Sequence, residues 1–201
     1  MGRRDPQSAG VCLENSSPLA DQSVEPLSPY AQCKIALQRL LADFGRQAGV
    51  STAWGRIFFQ FGPYEYPERL VPSVICNLLQ NRPAPSTLGT QIRSFLDVRD
   101  VGAAFAALLD SGAEGPVNIG SGEHIALKDL IENIGRKTGR ADLLRLGARP
   151  TPPWEPPLLV PDVRRLRDEV RWRPRIALDQ GLSDSIAWWR DRLRSGGVAG
   201  T

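Results

Sequence analysis

Short runs rich in β-branched and aromatic residues alternate with apolar residues at helical spacing along most of this chain. Such alternation points to an α/β fold, in which crossover helices join parallel strands. Residues 1–29 are dense in Ser, Pro, Asp and Asn and read as loop, with one short strand expected within Ser8-Ala-Gly-Val-Cys-Leu13. A helix should begin near Pro29, because proline suits the first helical position and Ser28 can cap it; Gly49 should end it. Its apolar residues Ile35, Leu37, Leu40, Leu41, Phe44 and Ala48 recur at helical spacing. Residues 50–59 read as a buried strand broken by Gly62-Pro63, and residues 67–80 as a helix. A strand over 92–96, a helix over 98–110, a short strand over 116–119 and a helix over 126–138 follow. The Pro-rich stretch 149–157 reads as an extended surface segment, and helices near 163–170 and 178–193 close the pattern.

Composition narrows the function. The 201 residues suffice for one ordinary domain, and 41% hydrophobic with 23% charged residues marks a globular chain. No apolar run approaches the ~18 residues of a membrane span. The charged start, Met1-Gly-Arg-Arg-Asp5, leads into no apolar stretch, so no secretory signal and no membrane are expected, and the cytoplasm is the expected location. Cys12, Cys33 and Cys76 lie far apart, which argues against a disulfide framework or a zinc site. The single histidine, His124, follows a Gly-Ser-Gly-Glu turn and reads as a surface loop residue; no metal site is expected. Residues 136–201 carry fourteen Lys/Arg against eight Asp/Glu, whereas residues 1–135 carry eleven against fourteen. The basic end suits either an anionic ligand such as a diphosphate or a solvated Arg-rich surface; no nucleic-acid motif accompanies it, so no nucleic acid is expected as a partner. A dinucleotide-binding domain normally opens with strand, Gly-rich turn and helix, and the sequence contains no Gly-x-Gly-x-x-Gly.

The constellation that carries chemistry is Tyr30-Ala-Gln-Cys-Lys34. Spacing i,i+4 sets both side chains on one helix face, roughly 5–6 Å apart at Cβ. A neighbouring ammonium favours the phenolate, so the pair can serve as a general acid/base. By composition such a pair arises by chance in roughly one chain in twenty, and an ordinary surface pair is the competing reading.

Pro26-Leu-Ser-Pro-Tyr30-Ala-Gln-Cys-Lys34 resembles the active-site helix of the NAD-dependent epimerase/dehydratase family, the extended short-chain dehydrogenase/reductases. Further segments follow in family order. Gly55-Arg-Ile-Phe-Phe-Gln-Phe-Gly-Pro63 resembles its Arg-x-x-Asn-x-Tyr-Gly-Pro strand and turn. Gly89-Thr-Gln-Ile-Arg-Ser-Phe-Leu-Asp-Val-Arg-Asp-Val101 resembles its Gly-x-x-x-Arg-Asp-Phe-x-x-Val-x-Asp-Val segment. Val117-Asn-Ile-Gly-Ser-Gly122 and Trp172-Arg-Pro174 with Gly181, Leu182 and Trp188 resemble its later segments. The resemblance implies the C-terminal part of a Rossmann-like doubly wound sheet plus the small α/β substrate-binding domain. It divides the chain into residues 1–65 with the Tyr-x-x-x-Lys helix, 66–195 mainly for substrate, and a flexible tail at 196–201. Tyr30 would be the catalytic base, and Lys34 would lower its pKa and bond the nicotinamide ribose. Ile57 falls where the family meets the nicotinamide. Phe59 falls on the substrate side, and Arg93 where a basic residue meets the sugar-nucleotide diphosphate, a task that a bidentate guanidinium suits; a strand-edge salt bridge is the alternative for Arg93. Asn118 reads as a ligand contact or a structural turn residue.

Three departures accompany the resemblance. Aligning Ala9-Gly-Val-Cys-Leu-Glu14 on the family's Ser/Thr segment puts Val11 at the hydroxyl position, unless Ser8, Ser16 or Ser17 substitutes. Phe59 stands at the substrate-side Asn. The nucleotide-binding half has no counterpart here. Two functions follow: an NAD- or NADP-dependent epimerase, dehydratase or reductase acting on a nucleotide sugar, possible as a homodimer, or an inactive remnant or non-catalytic binding module. A start site set too far downstream would also give such a chain.

Overall fold

The computed structural model describes residues 10–14, 29–153 and 155–196, and there strands and helices alternate. In chain order they are β1 (Val11–Cys12), α1 (Pro29–Ala48), β2 (Ala53–Ile57), β3 (Phe59–Phe61), α2 (Leu70–Leu79), β4 (Ala84–Pro85), β5 (Ile92–Arg93), β6 (Phe95–Asp97), α3 (Val98–Asp110), β7 (Gly115–Ile119), β8 (Ile125–Ala126), α4 (Leu127–Thr138), β9 (Leu144–Arg145), β10 (Leu158–Pro161), α5 (Arg164–Asp168) and α6 (Leu178–Arg194). A 3-10 turn, Ala141–Leu143, joins α4 to β9. The architecture is the mixed α/β one that the alternation implies. Among the described residues, no helix is long and apolar enough to cross a membrane.

The expected strand over 50–59 is two strands instead. β2 pairs in parallel with β7, while β3, one residue further on, pairs in parallel with β6. Phe58 sits at the break and donates its N–H to the Ile119 carbonyl at 3.1 Å. Nor is the segment buried throughout: Phe61 is 1% exposed, but Ile57 is 48% and Phe59 36% exposed. The expected strand over 92–96 divides in the same way. β5 joins a four-stranded sheet of order β1-β10-β5-β8, and β6 pairs with β3. Ser94, at the second break, is buried and its hydroxyl meets that of Ser121 at 2.9 Å. A strand that changes partner in this way lays its two ends in different sheets.

Two clusters of apolar side chains form the interior. One gathers Phe61, Phe95, Val71, Ile75 and Leu78 of α2, Leu130, Ile131 and Ile134 of α4, and Leu182, Ile186 and Trp189 of α6. The other gathers Leu96, Val101, Ala104, Leu108, Val117, Ile119, Leu166 and Trp172. Successive strand residues point to opposite faces, so Phe95 and Leu96 of β6 enter different clusters. α3 begins where Asp97 accepts the Arg99 N–H at 2.9 Å, a side-chain N-cap. α4 ends at Gly139, whose φ of 70° is the left-handed C-cap glycine favours. α5 is shorter than the expected 163–170, and Arg171 beyond it adopts φ 58°. α2 begins at Leu70, two or three residues after the start expected at Pro67 or Glu68, because the chain over 62–69 turns, with Tyr64 at φ 64°.

Candidate active site

α1 carries the candidate acid/base pair at its N-terminal end. Pro29 is its first residue, as the fixed φ of proline favours; the Ser28 cap lies outside the described residues. Tyr30 is 72% exposed, and the Lys34 ammonium stands 5.6 Å from the centroid of its ring. That separation is within cation–π range, and one helical turn supplies it. The structure therefore brings these two side chains together on an open face of α1.

Among the described residues, Gly45 and Arg56 help to hold α1 in place. The buried Gly45 lets the helix approach the chain that follows it: a Cβ there would stand 2.7 Å from the Thr52 methyl and from the Val50 carbonyl. Arg56 of β2 donates to the Gln38 side-chain oxygen at 3.1 Å and to the Glu14 carbonyl at 3.0 Å. Burial pulls the Arg56 guanidinium below its ordinary range, and Glu14 opposes that shift. Ile57 is the last residue of β2 and is half exposed.

Phe59 and Arg93 form a second pair. The Arg93 guanidinium lies 5.5 Å from the centroid of the Phe59 ring. Arg93 is only 2% exposed. It donates to the Ile92 carbonyl at 2.8 Å, to the Glu155 carboxylate at 2.8 Å and to the Pro156 carbonyl at 2.9 Å. The salt-bridge alternative for Arg93 is thus present, with Glu155 as partner. The described residues of the stretch 149–157 lie at the surface, as expected, but are pinned there: the Ile92 N–H donates to the Pro157 carbonyl at 2.8 Å, and the Gln91 amide reaches Glu155 at 3.3 Å. The Tyr30–Lys34 and Phe59–Arg93 pairs share no hydrogen bond, ion pair or ring contact among the described residues.

Asn118 is buried and structural. Its side-chain amide donates to the Cys12 carbonyl at 2.7 Å and to the Asp162 carbonyl at 3.1 Å, while its backbone N–H donates to Glu14 at 3.1 Å. It ties β7 to β1 and to the end of β10. Val11, aligned with the family's hydroxyl position, belongs to β1 and is half-buried; Ser8, Ser16 and Ser17 lie outside the described residues. His124 is exposed. No cluster of side chains suited to a metal occurs among the described residues.

Sequence reasoning passes over two groups. Glu155 is the one charged residue between Arg149 and Asp162, and that isolation within a Pro-rich stretch is the signal it offers. Glu65 has no such signal. Burial pushes its carboxyl up to about 7 against the pull of Arg69, and its Oε2 is buried without a hydrogen-bond partner among the described residues.

The sequence profile of the NAD dependent epimerase/dehydratase family matches residues 8–120. The chain is 31% identical over 175 residues to a dTDP-glucose 4,6-dehydratase of Streptomyces niveus, covering 85% of this chain and 51% of that protein. It is 27% identical over 181 residues to the human dTDP-D-glucose 4,6-dehydratase, with 85% and 51% covered. The fold resembles a UDP-glucose 4-epimerase of Thermotoga maritima solved with UDP-glucose, at TM-score 0.77 and 22% identity over 84% of this chain and 55% of that one. It also resembles a dTDP-glucose 4,6-dehydratase of Bacillus anthracis in complex with NAD, at TM-score 0.76 and 21% identity over 94% and 60%. The chain spans about half the length of the curated relatives it matches.

Proposed function

Because the chain belongs to the NAD dependent epimerase/dehydratase family, we propose that it carries the acid/base half of a site that transforms a nucleotide sugar. The observation that carries this reading is the Tyr30–Lys34 pair, open to a ligand on one face of α1 with the ammonium over the phenol ring. Tyr30, as the phenolate, takes a hydroxyl proton from the sugar and becomes the neutral phenol; Lys34 favours the phenolate that precedes this transfer and donates to the cofactor ribose. NAD or NADP, when bound, supplies the hydride acceptor. The residues here fit its nicotinamide end, through Tyr30, Lys34 and the exposed Ile57. They hold no Gly-rich turn for its pyrophosphate. Phe59 lies on the substrate side, and Arg93 faces the diphosphate. Residues 1–65 form the part that carries the Tyr/Lys helix, and residues 66–195 bind mainly substrate. The exposed Leu37, Leu40 and Phe44 on α1 support a homodimer.

A second reading, a non-catalytic sugar-nucleotide-binding module, draws support from Val11 and Phe59 at positions where the family carries polar groups, and from the closure of Arg93 by Glu155. One experiment separates them. In a protein joining this chain to a nucleotide-binding half, Tyr30→Phe should lower turnover by about a hundred- to ten-thousandfold with folding intact. Lys34→Met should lower turnover and move the pH optimum upward. Full activity in Tyr30→Phe overturns the catalytic reading.

A further inference from the structure

We infer that the Glu155 carboxylate is an internal substitute for an anionic ligand at Arg93, so that the stretch 149–157 and a diphosphate compete for one guanidinium. The inference rests on the reading of Arg93 as the diphosphate-facing residue. Arg93 is the largest of the fully buried side chains among the described residues, yet it carries a permanent charge. Its neutralising partner comes from 62 residues along the chain, in a segment whose described residues form no helix or strand, and the partner's own side chain remains 25% exposed. Three short bonds clip that segment down: Arg93 to Glu155, Arg93 to the Pro156 carbonyl, and the Ile92 N–H to the Pro157 carbonyl. Gln91 holds the other carboxylate oxygen. The Phe59 ring lies against the guanidinium on another side. These groups take three of the five guanidinium N–H bonds, and at 2% exposure the guanidinium offers an incoming anion no open approach. A phosphoryl oxygen presents the same acceptor geometry as the carboxylate, so it can replace Glu155 only when the segment lifts. A buried cation that loses one anion must gain another, which makes the exchange one for one.

The competing arrangement has the opposite sign. If Glu155 positions the guanidinium for the ligand, removing its charge weakens anion binding; if it occupies the ligand's seat, removing its charge strengthens binding. Calorimetry of the full chain with inorganic pyrophosphate and with UDP-glucose reads that sign. Glu155→Gln keeps the shape and should bind both about ten- to a hundredfold tighter than wild type, the value of a charge-assisted bond. Glu155→Asp, which keeps the charge but shortens the reach, should fall between the two. Adding Arg93→Met to Glu155→Gln should abolish the gain. Hydrogen exchange at the Ile92 amide, read without ligand, should be faster in Glu155→Gln, because the clip on Pro157 loosens. Equal or weaker binding in Glu155→Gln overturns the inference. UDP-glucose binding that is measurable and the same in both proteins overturns it while leaving the nucleotide-sugar reading standing. UDP-glucose binding by none of the proteins overturns both.

Discussion

Glu65 and Asn118 show how single side chains set the conditions under which this fold holds. The Glu65 carboxyl, ordinarily near 4.5, is pushed up to about 7 by burial. A group whose folded pKa is raised contributes fully below its unfolded value and loses that contribution as pH rises through the folded one. The wild-type chain should therefore lose stability between about pH 4.5 and 7. Glu65→Gln should abolish this slope, leaving the variant more stable at pH 8 by on the order of 1 kcal/mol, once solvent screening of a partly exposed carboxylate is allowed for. Thermal unfolding of both proteins across pH 4 to 8 checks it, and parallel curves would refute it. Asn118 acts through geometry instead. Asn118→Ala removes two donors, leaving the Asp162 carbonyl without its amide partner and the Cys12 carbonyl with the Asp162 N–H alone. Chemical denaturation should show a loss of about 1–3 kcal/mol.

Helices in this protein depend on close approach as much as on apolar pattern. A Cβ at Gly181 of α6 would lie 2.8 Å from the Phe61 ring and 2.8 Å from the Asp97 carboxylate. Gly181→Ala should thus push α6 from β3 and from the cap of α3, costing about 1–3 kcal/mol, visible as a lowered midpoint of thermal unfolding. The helices were legible because they are periodic and capped: α3 runs over 98–110, as its pattern predicts, and α1 starts at Pro29. Short strands were not. β4, β8 and β9 are two residues each, too short for any alternation to register. The switches at Phe58 and Ser94 leave no local mark, since every residue around them suits a strand. At the candidate site, the Tyr30–Lys34 pair was legible from one-turn spacing. The Arg93–Glu155 pair was not, because its partners are 62 residues apart and only tertiary packing joins them.

Over the whole molecule, α1 stands apart from the two apolar clusters. Only Gly45 of its twenty residues is buried, while Leu37, Leu40 and Phe44 are each at least half exposed. An apolar stripe left exposed among the described residues favours association. The chain should sediment as a concentration-dependent dimer, and Phe44→Glu should shift it towards monomer without lowering its unfolding midpoint. A wild-type chain that stays monomeric at high concentration would remove the homodimer. β6 has a different bearing on the whole. With Phe95 in one cluster and Leu96 in the other, it is a common wall between them. Neither side of such a wall can melt and leave the other intact, because each holds the strand flat for its neighbour. Unfolding of the described part beyond α1 should accordingly be a single cooperative event, with calorimetric and van't Hoff enthalpies equal.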